Sequence, residues 1–446
     1  MKFTASAIAV ATNGRRHGPE VTVDGASQDS RAIEPGQLFV PVVAERDGHD
    51  FIAAARANGA LAHLTHRGPG TADGGPDLGT AIVVDDTMAA LRDLGVAARA
   101  RTQGPVVAIT GSVGKTSTKD LLAGALRPAM ATHASVKSFN NELGVPLTLL
   151  NAPEGTEATV IEMGSRGIGH IAELCAVAAP TVGIVTTVAA AHTGEFGSVD
   201  NIAVAKGELV EALPADGLAV LNHDNPLVSA MASRTQAAVL TFGTEPGASV
   251  RVRSIDLDDE LRATFVIDTE WGVVTARPPT RGAHMATNTA AAVGTALWLG
   301  ATVAQVEEGV AASTTSPWRM EVGRARSGAL VINDSYNANP TSMRGALDSL
   351  AALGHTRKIA VVGYMAELGP GEGDDHRRIA AHVRAIGAEL VAVGTDLYGA
   401  DPVDDPLAAI GVTDEHTAIL VKGSRSAGLE TVAAAICEHG TPAAGG

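Results

Sequence analysis

The chain has 446 residues and carries 33 Lys and Arg against 49 Asp and Glu, a formal net charge of −16. A length of this kind suggests two to four domains, and an acidic balance with no long basic run argues against a nucleic-acid surface, which needs clustered Lys and Arg. Hydrophobic content of 45% beside 18% charged residues describes a globular chain; no run approaches the roughly 18–20 apolar residues of a membrane span, and the N-terminus lacks the pattern of a secretory signal.

The first block, residues 1 to 102, holds strand-like runs at Gln37–Val43 and Ala81–Val84 and an Ala-rich helix at Phe51–Asn58. Arg67–Pro76 is a loop by its Gly and Pro content. Thr87–Arg101 reads as a helix, and Asp24 as a solvated residue. From 103 to 315, apolar strands (Val106–Ile109, Ala158–Ile161, Val182–Thr186, Gly217–Leu221) alternate with helices (Thr116–Leu126, Ile168–Ala178, Ser198–Ala212, His284–Leu299). That alternation predicts a parallel sheet with helices on both faces, interrupted by a β-rich insert at Val239–Ala276. The acidic cluster Asp256–Glu260 reads as solvated loop. Thr314–Pro317 is a turn-rich break. From 316 to 446 a second α/β unit follows, with strands at Ala329–Asn333, Lys358–Val362, Glu389–Val393 and Thr417–Val421, and helices at Pro340–Leu353, His376–Ile386 and Ser426–Cys437. The small-residue tail Gly440–Gly446 reads as disordered. Cys175 and Cys437 are too few for a metal cluster and fit buried thiols of a reducing compartment, so a cytoplasmic protein is expected. Met285, Met320 and Met365 read as packing residues.

The segment Val106-Val-Ala-Ile-Thr-Gly-Ser-Val-Gly-Lys-Thr-Ser-Thr118 carries the most chemistry. A strand runs into two glycines and then a helix, which is how a chain cradles phosphate: backbone N–H groups and a helix N-terminus face the anion. Lys115 is placed to reach the outer phosphates and Thr116 to ligate magnesium. The spacing is short, because Ile109 stands where longer phosphate loops have glycine. ATP is the expected ligand. Glu162, His192 and Lys206 follow successive strands of the same expected sheet. Ligands in such sheets sit at the carboxyl ends of strands, so these residues form a candidate magnesium and catalytic cluster with Thr116; a hard cation takes oxygen ligands and tolerates one imidazole.

Longer strings sharpen this. Ser30-Arg31 with Pro35–Phe39, Asp47-Gly-His49, the loop 110–118, Phe139-Asn-Asn-Glu-Leu-Gly-Val-Pro-Leu-Thr148, Glu162-Met-Gly164, His192–Phe196, Ala205-Lys-Gly-Glu208, Leu221–Asn225, His284–Asn288, Trp318-Arg-Met-Glu321, Asp334-Ser-Tyr-Asn-Ala-Asn-Pro340, Glu367-Leu-Gly369 and Lys422-Gly-Ser-Arg425 run nearly end to end. With these strings the chain resembles the Mur ligases of peptidoglycan synthesis, nearest the branch that adds D-alanyl-D-alanine to UDP-N-acetylmuramoyl-tripeptide. The resemblance implies an α/β fold of three domains. These are a small N-terminal α/β domain (1–102) for the UDP-sugar, a central doubly wound P-loop-type parallel sheet (103–315) for ATP, and a C-terminal Rossmann-like α/β domain (316–446) for the dipeptide.

It also implies roles. Thr110, Gly111, Ser112, Val113, Gly114, Lys115, Thr116 and Ser117 would hold ATP phosphates, with Asn288, Arg319 and Asp334 joining from across a domain interface. Thr116, Glu162 and His192 would hold a pair of Mg²⁺ ions, and Lys206 would be carbamylated. Ser30, Arg31, Asp47, His49, Asn140 and Asn141 would touch the UDP-sugar nucleotide. Asn337, Asn339, Lys422, Ser424 and Arg425 would help receive the dipeptide. A monomer without membrane insertion is expected. Plainer readings stand beside these: Asn140 and Asn141 as turn residues before Gly144, Asn339 as a helix cap before Pro340. Two departures bear on the site. Tyr364 stands where the family often has Asp, and the stretch before Asp47 lacks the usual Lys-Gly. A Mur-type ligase with another amine acceptor, a folylpolyglutamate-type ligase, a nucleotide switch and a non-catalytic paralogue are the alternatives.

Overall fold

The computed structural model describes residues 1–69, 78–136, 139–189 and 193–439. Most of the expected loop at Arg67–Pro76, the tail Gly440–Gly446 and His192 lie outside the described residues.

The central sheet has nine strands in the order Thr132–Ala134, Ala158–Glu162, Val106–Thr110, Val182–Val185, Leu218–Asn222, Ala238–Gly243, Val250–Leu257, Ala263–Thr269 and Gly272–Ala276. The first seven are parallel and the last two antiparallel. Parallel strands covered on both faces read as continuous apolar runs, and all five residues of Val106–Thr110 are buried. Successive side chains point to opposite faces. Val107 and Ile109 pack with helices Lys115–Leu126, Ala286–Trp298 and Val303–Ala311. Val106 and Ala108 pack with Thr87–Arg99, Gly144–Leu150 and His170–Ala178. The β-rich stretch after Val239 is therefore no interruption; its strands extend the same sheet.

The second apolar layer does not stop at the central unit. It runs on through Leu91 and Leu94 to Phe3, Ile8, Leu38, Leu64 and Ile82, so the N-terminal unit and the central sheet share one core. Gly95 is part of that seam, where a Cβ would stand 2.6 Å from Pro146. The N-terminal strands are short: Arg15–His17, Thr80–Val83, Ala62–Thr65, Leu38–Phe39 and Ala26–Ser27 form one sheet, Lys2–Thr4 and Thr22–Asp24 another. The expected strand Gln37–Val43 shrinks to Leu38–Phe39, and Pro41, which cannot donate to a ladder, lies just beyond it. Asp24 ends a strand and pairs with the N-terminal ammonium at 3.0 Å.

The C-terminal unit is separate. Glu321–Arg324 lies antiparallel to Leu330–Asn333, followed by Thr417–Lys422, Arg357–Val362 and Glu389–Ala392, all parallel. Its cores hold only C-terminal residues, apart from Leu257 and Leu261 of the central hairpin. Leu261 is 1% exposed and sits at φ 64, a left-handed backbone that a leucine adopts only when its surroundings hold it there. The neighbouring Glu260 meets Arg324 at 2.8 Å, Arg262 at 2.5 Å and Arg281 at 3.9 Å. Asp256, Asp258 and Asp259 of the expected solvated cluster are exposed, but Glu260 and the adjoining Leu261 fasten the central hairpin to the C-terminal unit. Replacing Leu261 with Ala is expected to destabilise that unit by about 2–5 kcal/mol, read as an earlier urea transition, whereas Val10→Ala at a site 83% exposed leaves the midpoint in place.

Candidate active site

The phosphate loop leaves the strand Val106–Thr110 at the point where the strand order reverses, between Ala158–Glu162 and Val182–Val185. Gly111 and Gly114 are required there. Gly111 has φ 149 and a Cβ on it would lie 1.9 Å from Thr186 Oγ1; Gly114 has φ 90 and its Cβ would lie 2.3 Å from Asn288 Oδ1. The short loop is pinned from the neighbouring strand end. The Thr186 hydroxyl donates to the Val113 carbonyl at 2.6 Å, and the Ser112 N–H to the Thr187 carbonyl at 2.8 Å. Gly114 caps the helix Lys115–Leu126 with no side-chain partner, which leaves the first-turn N–H groups available to an anion.

Around the loop stand the groups that handle charge. Glu162 is buried at the end of its strand. Its Oε2 accepts from the Thr116 hydroxyl at 2.7 Å and its Oε1 from Asn140 Nδ2 at 2.8 Å. Asn141 instead accepts the Gly144 N–H at 3.1 Å, the turn role that its spacing allows. Lys115 donates to the Gly111 carbonyl at 2.6 Å. Burial lowers its pKa, Glu162 opposes that, and Arg319 adds to it. Lys206 is buried, and none of the described hydrogen bonds or ion pairs involves its amine. Burial, with Lys115 adding, holds its pKa well below the usual lysine range. Glu208, in the same motif, works elsewhere. It accepts the Gly169 N–H at 2.5 Å and the Ala172 N–H at 3.0 Å, capping the helix His170–Ala178.

The C-terminal unit brings Arg319 into this cluster. Trp318 (φ 60) and Met320 (φ 53) flank it in left-handed conformations, strain of about 1–3 kcal/mol each that surrounding contacts must hold. Trp318 N–H donates to Glu321 at 3.2 Å, Tyr336 N–H to the Trp318 carbonyl at 3.2 Å, and Met320 N–H to Asp334 Oδ1 at 3.1 Å. So held, Arg319 Nη2 donates to Thr116 Oγ1 at 2.9 Å. Its Cζ lies 4.3 Å over the Tyr336 ring, and its buried Nε has no partner among the described residues.

A cavity of about 980 Å³ lies between the central and C-terminal sheets. It gathers Ser112–Ser117, Asn140, Asn141, Glu162, Lys206, Asn288, Arg319, Asp334, Asn337, Asn339, Lys422, Ser424 and Arg425. Thr110 is buried in the strand and Gly111 lies behind the loop. Several residues expected to receive a dipeptide are already engaged. Lys422 is buried and donates to Asp334 Oδ2 at 2.5 Å and to the Asn337 carbonyl at 2.9 Å. Asn339 caps the helix Pro340–Ala352 in a capping box with Ser342. Ser424 Oγ accepts the Ala366 N–H at 2.8 Å, and Arg425 pairs with Glu430 at 2.5 Å under the Trp318 ring. These side chains build the wall, leaving the exposed Asn337 freest of the five to meet a ligand. Tyr364 donates to Glu372 at 2.5 Å and stacks on His376, so it braces the loop before Glu367. Met285, Met320 and Met365 are buried as packing residues, and burial pushes the Cys175 thiol up to about 12.

The N-terminal residues stand apart from this cavity. Arg31 pairs with Asp29 at 2.9 Å. Asp47 Oδ1 lies 2.6 Å from the His49 ring and also meets Arg67; the His49 N–H, then its ring, lower the Asp47 carboxyl to about 2. Ser30 is buried, its carbonyl accepting from Asn58 at 2.8 Å. Other residues line the cavity that were given no role from the sequence: Asp120, Arg166, His170, Thr186, Thr187, Glu195, Tyr336 and Glu367. Glu195, Tyr336 and Glu367 lie within the quoted strings, and Thr186 and Thr187 had a signal, being polar residues that end an apolar strand; the rest depend on tertiary placement.

A glycine-bearing phosphate loop at the switch point of a parallel sheet, met by a second α/β unit, defines a nucleotide-using α/β enzyme. Residues 109–296 match the Mur ligase middle domain and 318–439 the Mur ligase, glutamate ligase domain. A Mycobacterium tuberculosis protein, UDP-N-acetylmuramoyl-tripeptide–D-alanyl-D-alanine ligase, is 37% identical over 93% of this chain and 92% of its own. The Escherichia coli protein of that name is 34% identical over 99% and 100%. MurF from Acinetobacter baumannii superposes with a TM-score of 0.85 at 28% identity, covering 98% of this chain and 99% of that one. MurF ligase from Thermotoga maritima in complex with ADP gives 0.77 at 27% identity, covering 92% and 96%. The chain belongs to the Mur ligase family.

Because Lys115 reaches the cavity from the first turn of its helix, removing its charge is expected to cost turnover and not the fold. Lys115→Ala should lower kcat for ATP-dependent phosphate release about 100- to 1,000-fold, with its thermal midpoint near that of wild type.

Proposed function

We propose that this chain is an ATP-dependent ligase that joins the α-amine of D-alanyl-D-alanine to the terminal carboxylate of UDP-N-acetylmuramoyl-tripeptide, forming ADP and phosphate. The observation that carries the reading is the single cavity in which the phosphate loop, Glu162, Lys206 and Arg319 converge. Residues 1–102 take the UDP-sugar, 103–315 the ATP, and 316–446 the dipeptide. The core shared by the first two units supports a rigid seat for the acyl donor, and the separate core of the third supports its movement over the site.

The chemistry starts with two anions that repel. The donor carboxylate attacks the γ-phosphorus of ATP; a P–O bond forms, the bridging P–O bond breaks, and ADP leaves with that electron pair. The dipeptide amine then attacks the acyl carbon of the acyl phosphate. The tetrahedral intermediate expels phosphate, and the amine's proton is lost to solvent or a nearby base. Positioning and charge neutralisation are most of what a protein can offer phosphoryl transfer. Lys115 and the loop N–H groups face the phosphates. Arg319 arrives from the other unit, so catalysis is complete only when the units are together, which also excludes water.

The oxygen donors Thr116 and Glu162 fit magnesium, a hard cation, which supplies charge neutralisation when bound; His192 is proposed to complete that set. Lys206 as an ammonium does not fit beside a cation, but its depressed pKa favours the neutral amine, the form that adds to CO₂ with loss of a proton. A carbamate there contributes oxygens and a negative charge.

The direct test is phosphate release from ATP with UDP-N-acetylmuramoyl-tripeptide, with and without D-Ala-D-Ala. Release that requires both is expected; release driven equally by an unrelated amine, or none at all, sinks the reading. Carbamylation has its own readout. Wild-type protein equilibrated with isotopically labelled bicarbonate should show a carbamate carbon resonance that Lys206→Ala lacks, and a resonance that survives this substitution refutes the assignment.

A further inference from the structure

Asp120 lies four residues after Thr116 on the phosphate-loop helix, so the two share a face. Its side chain is only 13% exposed. Oδ2 accepts the Ser316 N–H at 2.8 Å, and Oδ1 lies 3.2 Å from the Lys119 ammonium. Lys119 is 2% exposed and donates to the Ser135 carbonyl at 2.8 Å. The carboxylate is therefore held from behind and cannot swing away from its backbone donor.

Ser316 belongs to the segment that joins the central and C-terminal units. Three residues further on, Arg319 donates back to Thr116 on the same helix. The helix thus grips the linker twice, and the chain between forms a closed ring: Asp120 to Ser316, through Pro317 and the left-handed Trp318, to Arg319 and Thr116. A strained turn of that kind needs an anchor on each side. Asp334 and Glu321 supply one; Asp120 supplies the other.

We propose that Asp120 is a positioning residue that sets the linker so that the Arg319 guanidinium stands at the mouth of the phosphate loop. The inference rests on the ligase reading for its activity assay. Its partner is a backbone N–H, so what matters is an acceptor oxygen at that place. Asn can provide one and Ala cannot.

The test uses the full-length enzyme with ATP, UDP-N-acetylmuramoyl-tripeptide and D-Ala-D-Ala. Asp120→Ala should lower kcat about 10- to 100-fold, the scale of one charge-assisted hydrogen bond, with KM for the dipeptide nearly unmoved. Asp120→Asn should restore most of that rate. In an Arg319→Ala background, Asp120→Ala should cost nothing further. Ser316→Pro, which deletes the donor and leaves the Lys119–Asp120 pair whole, should match Asp120→Ala and stands in for it if that variant does not fold. Full activity in Asp120→Ala, equal damage from Asp120→Asn, or losses that multiply with Arg319→Ala would overturn the proposal. Hydrogen exchange of the linker amides needs no substrate: fast exchange in Asp120→Ala and slow exchange in Asp120→Asn supports the anchor, and identical exchange refutes it. A wild-type enzyme silent in the assay would refute the ligase reading instead.

Discussion

The Thr116 hydroxyl is the point at which the molecule's parts meet. It donates to Glu162 at the end of one strand and accepts from Arg319, which belongs to another folding unit. A hydroxyl can do both at once. The arrangement ties the phosphate loop, the carboxylate suited to a cation and the incoming guanidinium to one atom. On the proposed function, a phosphate entering the loop would compete for Arg319, and a cation would compete for Glu162.

That node works because the units are attached unequally. The N-terminal unit and the central sheet share a continuous apolar layer through Leu91, Leu94, Val145, Leu147 and Leu174, and moving one against the other would expose it. The C-terminal unit meets the central one through local fastenings, among them Leu261 in its core, Glu260 on Arg324, Ser349 beside His284, Gly369 against Gly194, and the two grips on the linker. Burial of extended apolar area makes a fixed joint, while a few polar contacts and one plug make a joint that can turn. On the proposed function, that attachment would keep the donor seat and ATP site rigid relative to each other and let the acceptor side close.

Much of this was legible in the sequence because its signals are local. A buried parallel strand announces itself as an unbroken apolar run, and a glycine pair followed by Lys-Thr has a meaning set by backbone sterics. The elements expected in the central and C-terminal units accordingly fall within a few residues of where periodicity puts them, whereas the helices Gly144–Leu150 and Val303–Ala311 and the strands Thr132–Ala134 and Glu321–Arg324 were not expected. The N-terminal helix Ala5–Ala11 and the short strands around it escape such a reading, since two- and three-residue strands carry no period. Glu260 ends a run that reads as solvated loop; only the approach of the C-terminal unit gives it and the adjoining Leu261 their partners. Lys422 shows what a string leaves out. A lysine in a Lys-Gly-Ser-Arg string at a strand end suggests a ligand contact; Lys422 does line the cavity, with its buried ammonium engaged by Asp334 and the Asn337 carbonyl. A motif gives a residue's address; its hydrogen-bond partners decide its work.

The charge distribution has the same logic. The chain is acidic overall, yet Lys115, Lys206 and Arg319 gather in one cavity. For Lys115 and Lys206 burial is the larger influence on the pKa, and each feels a further neighbouring cation. Such a group is costly unless an anion comes to it. A triphosphate supplies that anion for Lys115, and a carbamate on Lys206 would place a negative charge where burial favours the neutral amine. Carboxylates line the same cavity, Glu162, Glu195, Asp334 and Glu367 among them, so the cations there stand beside acidic groups. Asp120, at the edge of this cavity, is engaged by the Ser316 N–H and the Lys119 ammonium and is thereby kept from pairing with those cations.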